Sequence, residues 1–367
     1  MLIPQDQSTE YAATCFPHTP EMIIPPIGKA FNTVQAIEQT KEQNTLHDTF
    51  GRKFNYLRLS ITELCNFRCN YCLPNGNACD TPKHGLLMNE IDTLVKAFSA
   101  LGTQKIRITG GEPALRKDLT SIIECCKQTE GIKKVALTTN GYLLKRDAHA
   151  YKHAGLDALN VSADSLDPRL FSAITGRQKL EDILQGVDLA IAAGIETVKF
   201  NTVMLKQFNY KELDSFFDYL KHHPVTWRFI ELMQTGDNRE FFTQNHVPGS
   251  EMKNILLQQG WQQIVRSSDA GPAQEFSHPE FMGNIGLIMP YSEGFCASCN
   301  RLRVSSQGKL HLCLFAEEGI DIRPLLAEGD IEGTCDAITK HLQTKKISHE
   351  LISGFTGATK QLAMLGG

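Results

Sequence analysis

The sequence predicts an α/β protein: a six-stranded partial (β/α)6 barrel of TIM-like type, followed by a C-terminal extension. Three observations carry this. Apolar, β-rich runs recur six times between residues 54 and 233, with helix-period segments between them. Strands alternating with helices imply βαβ units and a parallel sheet. No second half follows that would complete eight strands, so the barrel stops at six; a doubly wound open sheet is the alternative.

The expected strands are "FNYLRLSIT" (54–62), "KIRITGG" (105–111), "VALTTNG" (135–141), "ALNVSAD" (158–164), "VKFNTVM" (198–204) and "WRFIELM" (227–233). Between them "NEIDTLVKAFSALG" and "LEDILQGVDLAIAAG" have helical period; in the second, Leu180, Ile183, Leu184, Val187, Ala190 and Ile191 share one face. Several strands end in polar or glycine-rich residues, the rim where parallel barrels place their ligands. Turn chemistry explains the glycines. It does not explain why Glu112, Thr138, Asn140 and Ser162 all arrive there. Residues 1–48 read as a weakly ordered, proline-rich and polar leader, 49–240 as the barrel, and 241–367 as the extension. Within the extension, "RVSSQGKLHLCLF" reads as a hairpin.

The 367 residues are 41% apolar and carry a net charge of -4, which gives a sizeable core but no basic field for nucleic acid. An anionic ligand must therefore meet a local group of Arg and Lys. No run approaches the roughly 18–20 apolar residues of a membrane span. The N-terminus lacks the basic and apolar regions of a signal peptide. The expected compartment is the cytoplasm, where eleven cysteines point to metal or catalytic roles rather than disulfides.

Six of the cysteines form two groups. "CNFRCNYC" places Cys65, Cys69 and Cys72 in a C-x3-C-x2-C spacing just after the first strand. Three thiolates favour zinc or iron–sulfur. A structural zinc site would be closed by a fourth protein ligand. Three cysteines on one short loop can instead hold three irons of a 4Fe–4S cube and leave the fourth iron open. The second group, Cys296, Cys299 and Cys313, is again a triad, and it suits a second 4Fe–4S cluster in the extension. Arg301 and Arg303 follow at alternate positions, so both guanidiniums share one strand face and suit an anionic, nitrogen-donor ligand such as a nucleotide. Taken alone, the second triad also reads as an incomplete zinc ribbon, and the arginines as a solvated face. Cys15, Cys125, Cys126 and Cys335 read as ordinary thiols; Cys79 reads as an improbable ligand close to the first triad.

The C-x3-C-x2-C loop with Tyr71 before its last cysteine, and "GGEP" (110–113) after the next strand, resemble the radical S-adenosylmethionine superfamily. "YLRLSITELCNFRCNYCLP", "RITGGEPALR", "LTTNGYLL", "NVSADSLD", "FIELMQTG", "FCASCNRLRVSSQGKLHLCLF" and the terminal "GG" resemble, more narrowly, the GTP 3′,8-cyclase family of molybdenum cofactor biosynthesis. Ala163 stands where that family more often has a larger aliphatic residue, a packing difference.

The resemblance implies a division of roles. Cys65, Cys69 and Cys72 hold the cluster that binds S-adenosylmethionine, with Tyr71, Gly111, Ser162 and Met233 contacting that cofactor. Cys296, Cys299 and Cys313 hold an auxiliary cluster whose open iron meets the guanine. Arg58, Arg107, Thr138, Lys199, Arg301 and Arg303 contact GTP. Arg58, Arg301, Arg303 and the tail residues Gly366 and Gly367 serve the chemistry. A 5′-deoxyadenosyl radical takes the hydrogen from C3′ of GTP, C3′ closes on C8, and an electron and a proton complete the product. The implied partners are an electron donor such as flavodoxin or ferredoxin and the next pathway enzyme, cyclic pyranopterin monophosphate synthase. No nucleic acid and no membrane is implied, and the expected state is a monomer or homodimer. The competing readings are a peptide-modifying member of the superfamily and a non-enzymatic zinc or electron-transfer protein.

Overall fold

The computed structural model describes residues 45–77, 85–265, 271–357 and 365. The chain runs β1 (Tyr56–Ser60), α1 (Met88–Ala100), β2 (Lys105–Thr109), α2 (Leu119–Gln128), β3 (Lys134–Thr139), α3 (Leu144–His153), β4 (Ala158–Ser162), α4 (Pro168–Thr175), α5 (Leu180–Ala192), β5 (Thr197–Met204), α6 (Leu213–His222) and β6 (Thr226–Glu231). These six strands pair in sequence order and all in parallel. Each expected strand is present; β5 covers its whole expected run, and the other five stop two residues short at the C-terminal end.

The extension adds α7 (Arg239–Asn245), α8 (Gly249–Gln258), β7 (Gln262–Gln263), β8 (Gln274–Ser277), β9 (Asn284–Ile288), β10 (Arg301–Val304), β11 (Lys309–His311), β12 (Ile320–Asp321), α9 (Arg323–Glu328) and α10 (Ile331–Leu342). Its strands join both edges of the parallel sheet. β9 lies parallel to β6, and β10 lies parallel to β1. The result is one open mixed sheet of 12 strands, not the six the sequence suggested. The excess comes from β9 and β10, which extend the parallel sheet, and from the short antiparallel strands paired with them. One of these pairings, β10–β11, is the expected hairpin, with Arg303 opposite His311.

Side-chain alternation decides the two faces of the sheet. In β5, Val198, Phe200, Thr202 and Met204 are buried, while Thr197, Lys199, Asn201 and Val203 are half-buried. Leu57 and Leu59 of β1 and Ile106 and Ile108 of β2 join the core with α1, α2 and α5. The opposite phase carries Arg58, Arg107 and Lys199. The aromatic centre is Trp227, stacked on Phe200 at 4.2 Å, its indole N–H donating to Thr202 Oγ1 at 2.8 Å. On α5 the expected stripe is buried at Leu180, Ile183, Val187 and Ala190, but Ile191 is 36% exposed at the edge of the stripe.

The expected leader boundary at residue 48 falls inside the folded chain, because Leu46 and Asp48 are already buried. Among the described residues no helix is long and apolar enough to cross a membrane.

Candidate active site

The first cysteine loop follows β1 and is pinned from three sides. α4 supplies one. Asp167 caps it by accepting from Arg169 N and Leu170 N, Pro168 opens it, and Gly176 ends it at φ +70°. Its last carbonyls then accept from the loop: Arg68 N donates to Thr175 O and Asn70 N to Ile174 O. Phe67 packs edge-on against Phe171 at 6.1 Å.

The second side is the "GGEP" turn. Glu112 N donates to Leu64 O at 2.7 Å. A Cβ on Gly111 would lie 2.3 Å from Leu64 O and 2.6 Å from Glu63 O. These glycines therefore admit the loop's own backbone. The Glu112 carboxylate is buried and accepts from Thr139 Oγ1, Asn140 N and Ala114 N. Burial raises its pKa to about 7 despite those three donors. Glu112 is a brace between β2 and β3.

The third side is a pair of asparagines. Asn77 exchanges hydrogen bonds with the backbone of Cys65, and Asn140 Nδ2 donates to Asn66 Oδ1 at 2.8 Å. Tyr71 donates its hydroxyl to Asp164 Oδ2 at 2.9 Å, just beyond Ser162 at the end of β4.

The thiols of this loop lie in one electrostatic neighbourhood. Burial pushes the Cys69 thiol well above its usual pKa, and Asp164, Cys72 and Cys65 add to the rise. Such a set cannot ionise together without a compensating cation. Among the described residues no three Cys, His, Asp or Glu side chains converge on a single-ion position. A tetrahedral zinc would draw its sulfurs to about 3.8 Å apart, from a Zn–S length of about 2.3 Å. Thiols spread around a loop suit an iron–sulfur cube, whose ligands sit on different metals.

A cavity of about 510 Å3 lies against the polar face of the sheet. It is lined by Arg58, Lys105, Arg107, Lys134, Lys199, Arg228, Arg301, Arg303 and Lys345, with Glu275 the one carboxylate among its described lining residues. The register assembles this set. Arg303, Arg58 and Arg107 are neighbours across β10, β1 and β2. Thr138, Asn160 and Lys199 are neighbours across β3, β4 and β5, and Asn201 faces Arg228 across β5 and β6.

The cations strain against one another. Burial lowers Arg58 well below its ordinary value, and Arg303 and Arg107 lower it further. Burial and Arg107 bring Arg228 to about 9; burial and Arg301 bring Arg303 to about 10. Burial would raise the Tyr56 phenol, but Arg107, Arg58 and Lys105 outweigh it and bring it to about 7. Arg107 donates to this phenol at 2.5 Å and to Thr138 Oγ1 at 3.2 Å. Arg228 is buried with Nε and Nη2 unpartnered. A polyanion would relieve all of these at once.

The second cysteine group stands at the same cavity, where Cys296, Cys299 and Cys313 join the lining. Arg303 lies within electrostatic reach of Cys313 and Cys299. Burial would raise Cys296, but hydrogen bonds from His349 and Ser348 prevail and hold it near 6. Arg52 fixes this end. It donates to Cys296 O, Ile347 O and Lys346 O, and its Nε meets Asp48 at 2.6 Å. We expect Arg52→Met to cost about 3 kcal/mol, since it takes the cation from a buried carboxylate, leaving that group its two backbone donors from residues 50 and 52, and removes a donor from three carbonyls. A urea midpoint shift measures it; a cost below about 1 kcal/mol would contradict this account of the clamp.

An apolar cluster of Leu314, Phe315, Leu351 and Leu365 connects the two triads, with Cys72, Cys313, Met233 and Tyr291 packed against it. Arg303 Nη1 donates to Leu365 O at 3.2 Å. Leu365 is thus held at the site; Gly366 and Gly367 lie outside the described residues, as do Cys15 and Cys79.

The structure gathers Arg58, Arg107, Thr138, Lys199, Met233, Arg301, Arg303 and the second triad on one cavity. Cys65, Cys69, Cys72, Tyr71, Gly111 and Ser162 lie beyond its described lining, at the C-terminal ends of the strands. Arg58, Arg107 and Lys199 sit within the strands rather than at the rim. Arg228, Lys105, Lys134, Glu275, Lys345 and His349 escaped the sequence reading. The phase of "TWRFIE" could have found Arg228, since Trp227 and Phe229 flank it on the core face.

Sheet, cysteine loop and glycine turn define a radical S-adenosylmethionine protein: residues 59–220 match the Radical SAM superfamily. Residues 225–351 match the Molybdenum Cofactor Synthesis C family. GTP 3′,8-cyclase of Vibrio vulnificus is 50% identical over 334 residues, 90% of this chain and 100% of its own length. GTP 3′,8-cyclase of Psychromonas ingrahamii is 51% identical over 348 residues, 94% of this chain and 100% of its own. The chain belongs to the GTP 3′,8-cyclase family. Among solved structures, Streptococcus suis SuiB bound to S-adenosylmethionine shares the fold at a TM-score of 0.57 and 13% identity, covering 88% of this chain and 75% of its own.

Proposed function

We propose that this chain is the enzyme that cyclises GTP to (8S)-3′,8-cyclo-7,8-dihydroguanosine 5′-triphosphate, the first step of molybdenum cofactor biosynthesis. The single observation that carries this reading is the cavity itself: mutually repelling buried cations on one side and a cysteine triad on the other. That pairing suits a polyanion joined to a nitrogen-rich ring.

Cys65, Cys69 and Cys72 would hold a 4Fe–4S cluster, with Tyr71, Gly111, Ser162 and Met233 near the S-adenosylmethionine it takes. Cys296, Cys299 and Cys313 would hold the second cluster, beside which the guanine lies. Held at the first triad with S-adenosylmethionine, such a cluster would supply radical chemistry to remove hydrogen from C3′ of GTP. Everything else falls to this chain's own side chains. Arg107, Lys199 and Arg228 hold phosphate oxygens. Thr138 is oriented by Arg107. Arg58, Arg301 and Arg303 face the ribose and base and stabilise negative charge there. The apolar cluster around Leu365 excludes water between the triads, and Gly366 and Gly367 would support radical generation. The parallel strands, curved around the cavity, act as the partial barrel. The proposed setting is the cytoplasm, with flavodoxin or ferredoxin as electron donor and cyclic pyranopterin monophosphate synthase as the acceptor of product.

Anaerobic reconstitution with iron and sulfide, followed by dithionite, S-adenosylmethionine and GTP, tests the reading. 5′-Deoxyadenosine forms with GTP and falls to background without it. Equal formation with and without GTP would overturn the substrate assignment.

A further inference from the structure

The cationic cavity contains its own anion. Glu275, on β8, accepts from Lys199 Nζ at 2.5 Å. It reaches Lys199 across two intervening strands, β6 and β9. Glu275 stands opposite Gly286 of β9, and Gly286 stands opposite Arg228 of β6. Gly286 makes the crossing feasible: a Cβ there would lie 2.6 Å from Arg228 Cγ. The absent side chain leaves room for Arg228 and for a carboxylate passing toward β5.

Lys199 needs such a partner. Burial and the neighbouring Arg228 lower its pKa, while Glu275 raises it. Without Glu275, a protonated Lys199 would face Arg228 and Arg107 with no carboxylate among the described lining residues. The carboxylate is half-buried on β8, a short strand one in from the sheet edge, so its side chain can swing away while the backbone stays paired. A lysine ammonium has three donors, but a carboxylate and a phosphate on the same ammonium repel each other. Whatever phosphate reaches Lys199 must displace Glu275.

We infer that Glu275 is a placeholder anion. It holds Lys199 charged and aimed in the empty site, yields it to a substrate phosphate, and takes it back when the product leaves. Substrate and product carry the same triphosphate, so a site built only of cations would retain both. Glu275 trades affinity for release. This inference rests on the reading that Lys199 meets phosphate.

Two simple roles predict opposite signs. If Glu275 merely positions Lys199, its removal weakens phosphate binding. If it competes with phosphate, its removal tightens binding. The experiment is calorimetric titration of the reconstituted holoenzyme with inorganic tripolyphosphate and with GTP, without S-adenosylmethionine so that no turnover occurs. Wild type, E275Q, K199Q and the double variant are compared, with E275M as a second replacement and thermal unfolding as the control for folding. We expect E275Q to tighten both ligands about fivefold, the scale of a part-exposed ion pair, and to have no effect once Lys199 is Gln. Unchanged or weaker binding in E275Q and E275M, with K199Q still weakening it, overturns the placeholder and leaves the phosphate reading intact. Tightening that persists in the double variant overturns the coupling to Lys199. Binding indifferent to K199Q overturns the phosphate reading and the inference with it.

Discussion

Replacement of Cys69 by Ser is expected to strip iron from the first triad and take 5′-deoxyadenosine formation to background, while replacement of Cys313 by Ser leaves the first triad's iron in place and ends the cyclisation of GTP. The two triads occupy different parts of the fold. Cys69 sits at the centre of the loop held by α4 and the glycine turn, its thiol buried with those of Cys65 and Cys72 as neighbours. Loss of an outer partner of a metal ligand already costs about 10–100-fold; loss of the ligand itself should leave nothing measurable. Cys313 lies across the apolar cluster, on the cavity with Arg303. Its loss should remove the guanine's neighbour and leave the first triad intact. The readouts are iron content, 5′-deoxyadenosine and cyclised nucleotide for each variant. Loss of iron from both triads in either variant would mean that the triads act as one unit.

The second large effect comes from a methyl group. Gly111→Ala would place Cβ 2.3 Å from Leu64 O and within 2.6 Å of Glu63 O. Both obstacles are backbone, one or two residues before Cys65, and neither can rotate away. Either the loop shifts, breaking the Glu112 N to Leu64 O bond, or the turn does, unseating the Glu112 carboxylate from its three donors. We expect about 3 kcal/mol of destabilisation, at the upper end of ordinary overpacking, with iron lost from the first triad and kept by the second. Wild-type stability and full iron in G111A would show that the turn has slack.

The legibility of this chain has a physical pattern. The parallel strands were readable because each combines β-branched runs with turn residues at the end, and "SLDPRLFSAITG" displays the cap, the opening proline and the closing glycine of α4 in order. The cysteine triads were readable from spacing, because close ligands on one loop need no knowledge of the fold. The cavity wall was only half readable. Arg58, Arg107 and Lys199 came through the family resemblance, within the first, second and fifth strands, where the structure has them. Arg228 lies in phase with them, but one arginine in an apolar strand looks like an exception until the register sets Asn201 beside it. Glu275, His349 and Lys345 had no local signal. They reach the site through short strands near the sheet edge and a C-terminal segment whose position follows from β10 joining β1, a pairing between residues far apart in sequence.

The central claim is that a hydrogen leaves C3′ of a nucleotide held by this cationic cavity. It is tested most directly with GTP deuterated at C3′ and the reconstituted wild-type enzyme, by following the label into 5′-deoxyadenosine by mass spectrometry. The account predicts one deuterium in 5′-deoxyadenosine, with an equal amount of cyclised triphosphate. Unlabelled 5′-deoxyadenosine formed in the presence of the labelled nucleotide would contradict it.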